Sequence, residues 1–341
     1  MGGGFAPHLF TPYYIRNIGD TRFFMKNKQT VHSSLQGNRL LRDIKKNWQL
    51  HLIILIPIVY LLIFEYGPMV GLQIAFRNYR PRTGIWGSEW VSLKHFKAFL
   101  TSYNFKTLLS NTLSISLYSI FVGFPIPVIF ALFLHITQHD KLKRLTQNVS
   151  YMPHFISVVV MVGILDQILN PVSGLIGTVY QLLGYNGYPA DVRTNAGAFR
   201  HLYVWSGIWQ NMGWDTIIYV AALSGVSLDQ HEAAEIDGAS RWQRVLHVDI
   251  PAILPTIAIM LILRCGSVMS VGYEKVYLMQ NDLNLRASEV ISTYVYKVGL
   301  GKNQFSYAAA IGVFNSVVNC IMLVLVNFIA KKASDGEHGL F

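Results

Sequence analysis

The sequence contains little charge for its length. Lysine, arginine, aspartate and glutamate together make up 13% of its 341 residues, whereas a soluble domain has about 25%. The only two cysteines, Cys265 and Cys320, both lie in apolar stretches and are too few for a disulfide framework. The composition therefore argues against an ordinary soluble enzyme and against a disulfide-stabilised secreted domain.

The sequence also lacks the common motifs for nucleotides and metals. Its nearest approach to a phosphate-binding loop, Gly301-Lys302-Asn303, lacks both the preceding glycine and the following hydroxyl. Zinc-site spacings of histidine or cysteine are missing too, and we expect His231 and His247 to lie on a helix surface. We therefore predict no catalytic residue, metal or cofactor on this chain, so ATP-driven work would require ATP and magnesium on a partner protein.

Apolar residues account for 52% of the chain, and they are concentrated in long stretches. A helix needs about 20 mainly apolar residues to cross a bilayer. Six stretches approach that length, and we predict an all-α, polytopic membrane protein from them. The predicted spans are residues 50–76, 111–135, 149–170, 200–225, 252–276 and 308–330.

The basic residues predict the orientation of these spans. Residues 1–48 are rich in lysine and arginine immediately before the first span, and basic segments of this kind usually remain in the cytoplasm. We therefore predict a basic N-terminal tail (1–48), a transmembrane domain (49–330) and a C-terminal tail (331–341), with both tails cytoplasmic. The net charge of +10 is then explained by groups that face anionic lipid, and nucleic-acid binding is not expected.

The segment between the fourth and fifth predicted spans, residues 227–251, has more local order than a simple connection requires. Ser227 with Gln230, and Ser240 with Gln243, match the capping-box pattern, and Gly238 stands between them where a helix often ends. We predict two short helices with a sharp turn between them. On physical grounds alone, the second helix could equally lie on the lipid surface, because Trp242 and two arginines favour that position.

A family resemblance decides between these alternatives. The segment resembles the EAA signature of the permeases of binding-protein-dependent ABC importers, in which EAA is followed by Gly after three residues and by Ile-x-Leu-Pro after nine more. The matching residues here are Glu232, Ala233, Ala234, Gly238, Val248, Ile250 and Pro251. Only Val248 and Ile250 differ from the pattern, and both remain apolar.

Further segments resemble the carbohydrate branch of that family, and within it the polysaccharide type that includes alginate-like oligosaccharide importers. These segments are Tyr66-Gly67-Pro68-Met69, Ile74-Ala75-Phe76-Arg77, Gly84-Ile85-Trp86-Gly87-Ser88, residues 150–157, and Asn170-Pro171.

The resemblance implies a set of partners and roles. Two related permeases would form a heterodimer in the bacterial inner membrane, a solute-binding protein would deliver the sugar, and two ATPase subunits would drive transport. Residues 228–247 would be the coupling element that contacts the ATPases. Its residues would be Glu232 as the charged docking group, Gly238 as the bend, and Ala233, Ala234 and Trp242, and Pro251 would complete the coupling loop 227–251.

Polar residues inside the predicted spans indicate where a sugar could pass, because charge in a membrane usually faces a cavity or a partner. Aromatic faces and amide or carboxyl groups also suit sugar rings and hydroxyls. The candidate path residues are Asp166, Trp209, Gln210, Asn211, Trp214, Asp215 and Arg264. Alternatively, the tryptophans form an interfacial belt and the amides join helices, and Arg264 pairs with Asp166 or Asp215. We expect Asn315 and Asn319 to form hydrogen bonds between helices.

We predict a permease subunit of an ATP-driven importer of oligo- or polysaccharides. The same architecture could import another solute, and a membrane-embedded transferase or a docking scaffold is the alternative from another class. A transferase would need acid and base groups that converge at one membrane face, whereas a scaffold would not depend on the polar residues of span four. The sequence leaves open whether the sugar is neutral or anionic, and which permease holds the main sugar site.

Overall fold

The computed structural model describes residues 45–333, so most of the predicted N-terminal tail and nearly all of the C-terminal tail lie outside the described residues. Among the described residues, those up to Val70 belong to one unit and those from Gly71 onward to a second. The described elements are, in chain order, α1 (Trp48–Phe76), β1 (Arg77–Arg80), β2 (Gly84–Trp90), α2 (Lys94–Leu100), α3 (Phe105–Ile136), α4 (Asp140–Phe155), α5 (Val158–Leu169), α6 (Leu175–Leu182), α7 (Ala196–Leu223), α8 (Leu228–Ile236), α9 (Arg241–Cys265), α10 (Tyr273–Met279), α11 (Leu285–Ser288), α12 (291–301) and α13 (Phe305–Ala333).

The fold is predominantly helical, as the sequence predicts. Four described helices, α1, α3, α9 and α13, are long and apolar enough to cross a membrane. They contain the first, second and sixth predicted spans and part of the fifth. Helix α7 has 28 residues, but its amides, glycines and charged groups make it less apolar than these four. The prediction of six spans therefore remains a prediction.

The third predicted span, residues 149–170, is not one straight helix. Helices α4 and α5 meet at an angle of 100°, and α5 alone, with 12 residues, is about 18 Å long. At the break, the side-chain amide of Gln210 donates a hydrogen bond of 2.8 Å to the carbonyl of Ile156, and Ser157 caps α5. The bend is possible because neighbouring side chains pair with the backbone groups that it frees.

The fifth span, predicted as 252–276, ends too late, and the helix that contains it is longer at its N-terminal end. Helix α9 begins earlier, at Arg241, because Ser240 caps it and its backbone continues without interruption through a π-helical turn at Val245–Asp249. It ends at Cys265, and Glu274, which we expected in this span, lies instead on the separate short helix α10.

The sequence analysis also missed a β-hairpin. Strands β1 and β2 pair antiparallel, with Arg77 opposite Trp90. The Arg77 guanidinium lies 5.8 Å from the Trp86 ring and 5.4 Å from the Trp90 ring, and the backbone N–H of Tyr79 donates to the hydroxyl of Ser306 on α13. The short polar hairpin is thereby attached to a membrane helix.

Helix α7 is central to the packing of the second unit. It packs along the C-terminal half of α3 and also contacts α4 and α9. One buried cluster joins α3, α7 and α9 and consists of Ala131, Leu132, Tyr219, Leu223, Val245 and Ile253. Movement of α9 relative to α3 or α7 would disturb this cluster.

Gly213 allows α7 to lie close to α4. A Cβ atom at this position would overlap the backbone carbonyl of Ser150, which cannot move away as a flexible side chain could. We therefore expect Gly213→Ala to lower the apparent melting temperature of the purified protein by several degrees, since overpacking costs about 1–3 kcal/mol.

Gly312→Ala is the matched control, because Gly312 is also inside a helix but a Cβ there meets nothing within 4 Å. Alanine favours helix over glycine by about 1 kcal/mol, so this variant should melt at or above the wild-type temperature. Equal melting temperatures for the two variants would contradict the close contact of α7 with α4.

Candidate functional site: an exposed helical turn and a polar cavity

Residues 227–251 contain the predicted turn, but only one of the two predicted capping boxes. The Ser227 hydroxyl accepts a hydrogen bond from the N–H of Asp229 and caps α8, without a reciprocal bond from Gln230. Ser240 and Gln243 form both bonds of a capping box at the start of α9. The second helix is therefore not short, because it is the first part of α9.

Gly238 makes the turn between α8 and α9. Its φ is +80°, in the left-handed region that favours glycine. The N–H of Gly238 donates to the carbonyl of Glu235, and the N–H of Ala239 donates to that of Ala234. This pair of bonds is the Schellman motif, which closes a helix and reverses the chain direction.

The two helices flanking the turn expose different groups. Glu232 and Ala233 on α8 are exposed, and Ala234 is partly buried. Glu235 pairs with Arg244 of α9 at 2.8 Å, which links the two helices at their surface. The Trp242 ring packs edge-on against Phe133 at 5.8 Å while remaining 57% exposed.

Pro251, one residue before the predicted start of the fifth span, lies inside α9. A proline within a helix leaves one carbonyl without its N–H partner. The preceding π-helical turn, Val245–Asp249, changes the hydrogen-bond register next to this position, which is how a continuous helix accommodates the proline.

A cavity of about 510 Å³ lies among α3, α7, the end of α9 and residues 267–275. Four of the seven predicted path residues line it: Gln210, Asn211, Asp215 and Arg264. Its charged lining is balanced, since Arg264 and Lys275 face the same space as Asp215 and Glu274. A cavity with amides, hydroxyls and both signs of charge can form hydrogen bonds to a polyhydroxylated ligand.

The two amides of the cavity are held in place by hydrogen bonds. Gln210 is 6% exposed, and its side-chain amide donates to the carbonyl of Ile156 at the bend between α4 and α5. The Asn211 side chain donates to the carbonyl of Gly207, and its oxygen lies 3.0 Å from Nδ1 of His154. Both amides therefore join helices, as the alternative interpretation expected, and also face the cavity.

The remaining three path candidates lie elsewhere. Trp209 is 48% exposed and Trp214 is 43% exposed, and neither lines the cavity. Trp214 stacks on the His154 ring with centroids 4.4 Å apart. Asp166 lies 3.7 Å from Arg193, so Asp166 is not the partner of Arg264. Arg193 lies in the loop between α6 and α7. Within this loop, two hydrogen bonds from its guanidinium hold the pKa of Asp191 below its usual range.

Lys275 lines the cavity but was not predicted to do so from the sequence. Lys275 is 8% exposed, and its ammonium donates to the carbonyl of Tyr203 at 2.7 Å and lies 4.6 Å from the Tyr203 ring. The predicted fifth span, 252–276, includes Lys275, but Lys275 was not among the predicted path residues. The adjacent Glu274-Lys275 pair after an apolar stretch was the available signal, but its position depends on where α9 ends.

Two further side-chain predictions each have a mixed outcome. Asn319 joins α13 to the turn after α9, because its oxygen accepts from the N–H of Met269 and its amide donates to the hydroxyl of Ser270, so it joins separate segments as predicted, although its partners lie in a turn and not in a helix. The buried side-chain oxygen of Asn315 has no hydrogen-bond partner among the described residues, contrary to the prediction. His247 is exposed, as predicted. The prediction for His231 is wrong, because its side chain is only 18% exposed and lies 3.0 Å from the carboxylate of Asp249.

Comparisons with known proteins agree in covering most of the chain. The sequence model of the family described as "Binding-protein-dependent transport system inner membrane component" matches residues 98–335. The polygalacturonan/rhamnogalacturonan transport system permease protein YteP of Bacillus subtilis (strain 168) is 40% identical over 89% of this chain and 93% of its own length. Protein LplB of the same organism is 38% identical over 93% of this chain and 98% of its own length.

Solved structures give the same result. A chain of a bacterial ABC transporter that imports the acidic polysaccharide alginate superposes with a TM-score of 0.78 at 34% identity, covering 86% of this chain and 99% of that one. A chain of the alginate transporter in complex with its alginate pentasaccharide-bound periplasmic protein has a TM-score of 0.79 at 33% identity, covering 89% of this chain and 100% of that one.

Proposed function

The chain belongs to the family of binding-protein-dependent transport system inner membrane components, and from this we propose that it is the permease subunit of an ATP-driven importer of oligo- or polysaccharides. The single observation that carries this proposal is the close match, along nearly the whole chain, to a permease named for polygalacturonan and rhamnogalacturonan and to a transporter of alginate. The protein resides in the inner membrane as part of a larger assembly and is not itself an enzyme.

We further propose the partners of this assembly. A second, related permease completes the pathway, an extracytoplasmic solute-binding protein supplies the sugar, and two ATPase subunits bind ATP and magnesium. Both termini and the turn around Gly238 face the cytoplasm. The solved complex of the alginate transporter with a periplasmic protein supports delivery by a binding protein.

Coupling to ATP hydrolysis is proposed to pass through residues 228–247. Glu232 is exposed on α8 and available for an ATPase surface, and the Schellman turn at Gly238 fixes the direction of α8 relative to α9. Because α9 is continuous from Arg241 to Cys265, a displacement at the turn reaches Arg264 at the cavity. Closure of the ATPases would thereby shift the permease between outward-facing and inward-facing states.

The substrate is proposed to be an acidic glycan. Two of the similar proteins are named for acidic polysaccharides, polygalacturonan and alginate. The cavity provides Arg264 and Lys275 as partners for a uronate carboxylate, and its serines, amides and tyrosines as partners for hydroxyls. Asp215 and Glu274 line the same cavity and would repel additional carboxylates of the glycan. The cavity would therefore hold one uronate carboxylate at a time.

The central test is to coexpress this chain with its neighbouring genes, purify the resulting complex and measure its rate of ATP hydrolysis in lipid. We expect hydrolysis only when an ATPase subunit copurifies, and an increase when binding protein and oligogalacturonates are added. Neutral arabino-oligosaccharides should produce a smaller increase. If no glycan changes hydrolysis, or if the chain purifies without any ATPase, the importer proposal fails and a membrane transferase or scaffold becomes the better explanation.

Substitutions of Arg264 test separately whether the substrate is acidic. We expect Arg264→Gln to raise the concentration of oligogalacturonate needed for half-maximal stimulation about tenfold or more, because a charge-assisted hydrogen bond contributes about 1.5–3 kcal/mol. Arg264→Lys keeps the positive charge and should retain most of the stimulation. Equal loss in both variants would indicate a structural role for Arg264, and unchanged stimulation in Arg264→Gln would remove it from the pathway.

Gly238 tests the coupling element. Proline cannot adopt a positive φ and lacks the N–H that donates to Glu235. We expect Gly238→Pro to insert into the membrane but to lose glycan-stimulated hydrolysis.

Gly184→Pro is the matched control. Gly184 also has a positive φ, +83°, and its N–H donates to a carbonyl three residues earlier at the same 3.0 Å. It lies in the loop after α6, so this variant should keep the ATPase bound and hydrolysis stimulated. Normal stimulation in Gly238→Pro would rule out coupling through this turn.

A further inference from the structure

Three side chains from separate segments converge beside the turn at Gly238. His231 lies on α8, Asp249 lies in the π-helical turn of α9, and His135 lies in the last turn of α3. Nε2 of His231 is 3.0 Å and Nε2 of His135 is 3.5 Å from Oδ1 of Asp249. One possible ligand atom from each of the three lies within 4.8 Å of the other two.

The shorter of these contacts does not have hydrogen-bond geometry. In the part of the chain that the structure describes, neither Nε2 of His231 nor Oδ1 of Asp249 has a hydrogen-bond partner, although both atoms are buried. The Asp249 side chain is 2% exposed. A buried carboxylate is strongly destabilised unless it is paired, hydrogen-bonded or bound to a metal. Nε2 of His231 and Oδ1 of Asp249 are therefore both available to bind one shared ion.

We propose that His135, His231 and Asp249 bind a divalent transition metal ion of the zinc class. Imidazole nitrogen and carboxylate oxygen are zinc ligands, and bond lengths of about 2.0–2.2 Å in a tetrahedral site separate the ligand atoms by about 3.3–3.6 Å. The separations of 3.0 and 3.5 Å differ from this by only a few tenths of an ångström. Three protein ligands leave the fourth position for water.

The location of Asp249 supports a functional site. Asp249 is the last residue of a π-helical turn, a feature that frequently occurs at functional sites. Three more such turns occur among the described residues, so it is the burial of the Asp249 carboxylate, more than the turn, that sets this position apart. Its buried side chain faces two histidines that are 96 residues apart in the chain, which no local hydrogen-bonding requirement explains.

A bound ion would have a mechanical effect. It would join α8 to the ends of α3 and α9 through three coordination bonds, next to the Schellman turn that sets the angle between α8 and α9. The ion would thus resist a change in that angle, whichever partner binds α8.

Cobalt absorption tests the site directly. The full-length chain, purified in detergent with a histidine-free affinity tag and freed of metal with a chelator, would be titrated with Co²⁺. We expect a saturable visible absorption band that added Zn²⁺ removes. His231→Gln and Asp249→Asn should weaken binding by at least about tenfold, since loss of even an outer-shell partner costs about 10–100-fold.

His247→Gln is the matched control. His247 is an exposed histidine of the same segment whose Nδ1 lies 2.9 Å from the carbonyl of Gln243, so this variant should bind cobalt as the wild type does. Zn²⁺ should also raise the melting temperature of the wild type and of His247→Gln by several degrees, but not that of His231→Gln.

Two results would overturn the proposal. If the wild type shows no saturable cobalt band, the cluster is an imidazole–carboxylate pair and not a metal site. If His231→Gln binds cobalt as tightly as His247→Gln, the metal binds at other residues. Neither result depends on transport or ATP hydrolysis, so failure of this proposal is distinguishable from failure of the proposed function.

Discussion

The unbroken backbone of α9 is the constraint on which the rest of the second unit depends. This helix begins at the capping box of Ser240 and ends beside Arg264 in the cavity, 25 residues later, which is about 37 Å. Its N-terminal part is buried against α3 and α7 through Val245 and Ile253. Because α9 connects the exposed turn at Gly238 to the cavity at Arg264, a displacement of the turn also displaces the residues of α9 that line the cavity.

Local chemistry made part of this arrangement predictable from the sequence. Gly238 was identified as the turn because a helix that reverses direction needs a residue with positive φ, and Ser240 with Gln243 was identified because both halves of a capping box are adjacent in the chain. Ser227 with Gln230 has the same letters, yet only the serine forms its bond. Ser227, Gln230, Ser240 and Gln243 are all exposed, and nothing in the structure explains the difference.

The cavity and the bend were harder to predict because they depend on contacts between distant segments. Gln210 and Asn211 were expected in the path for their chemistry, but their partners, Ile156 and His154, lie on the far side of a 100° bend that the apolar pattern of residues 149–170 did not reveal. Lys275 was not predicted to line the cavity because its position depends on a contact with Tyr203 of α7, 72 residues away in the chain. Trp209 and Trp214 were expected either in the path or in an interfacial belt; both are partly exposed and neither lines the cavity.

The π-helical turn at Val245–Asp249 also bears on which changes in length α9 tolerates. Such a turn contains one residue more than the α-helical turn that would replace it. Deleting a single residue here would restore regular helix and leave the later side chains of α9, including Arg264, near their present orientation. A deletion after Asp249 would instead rotate those that follow it by about 100° around the axis, so the π-helical turn is the part of α9 where the loss of one residue would disturb the cavity least.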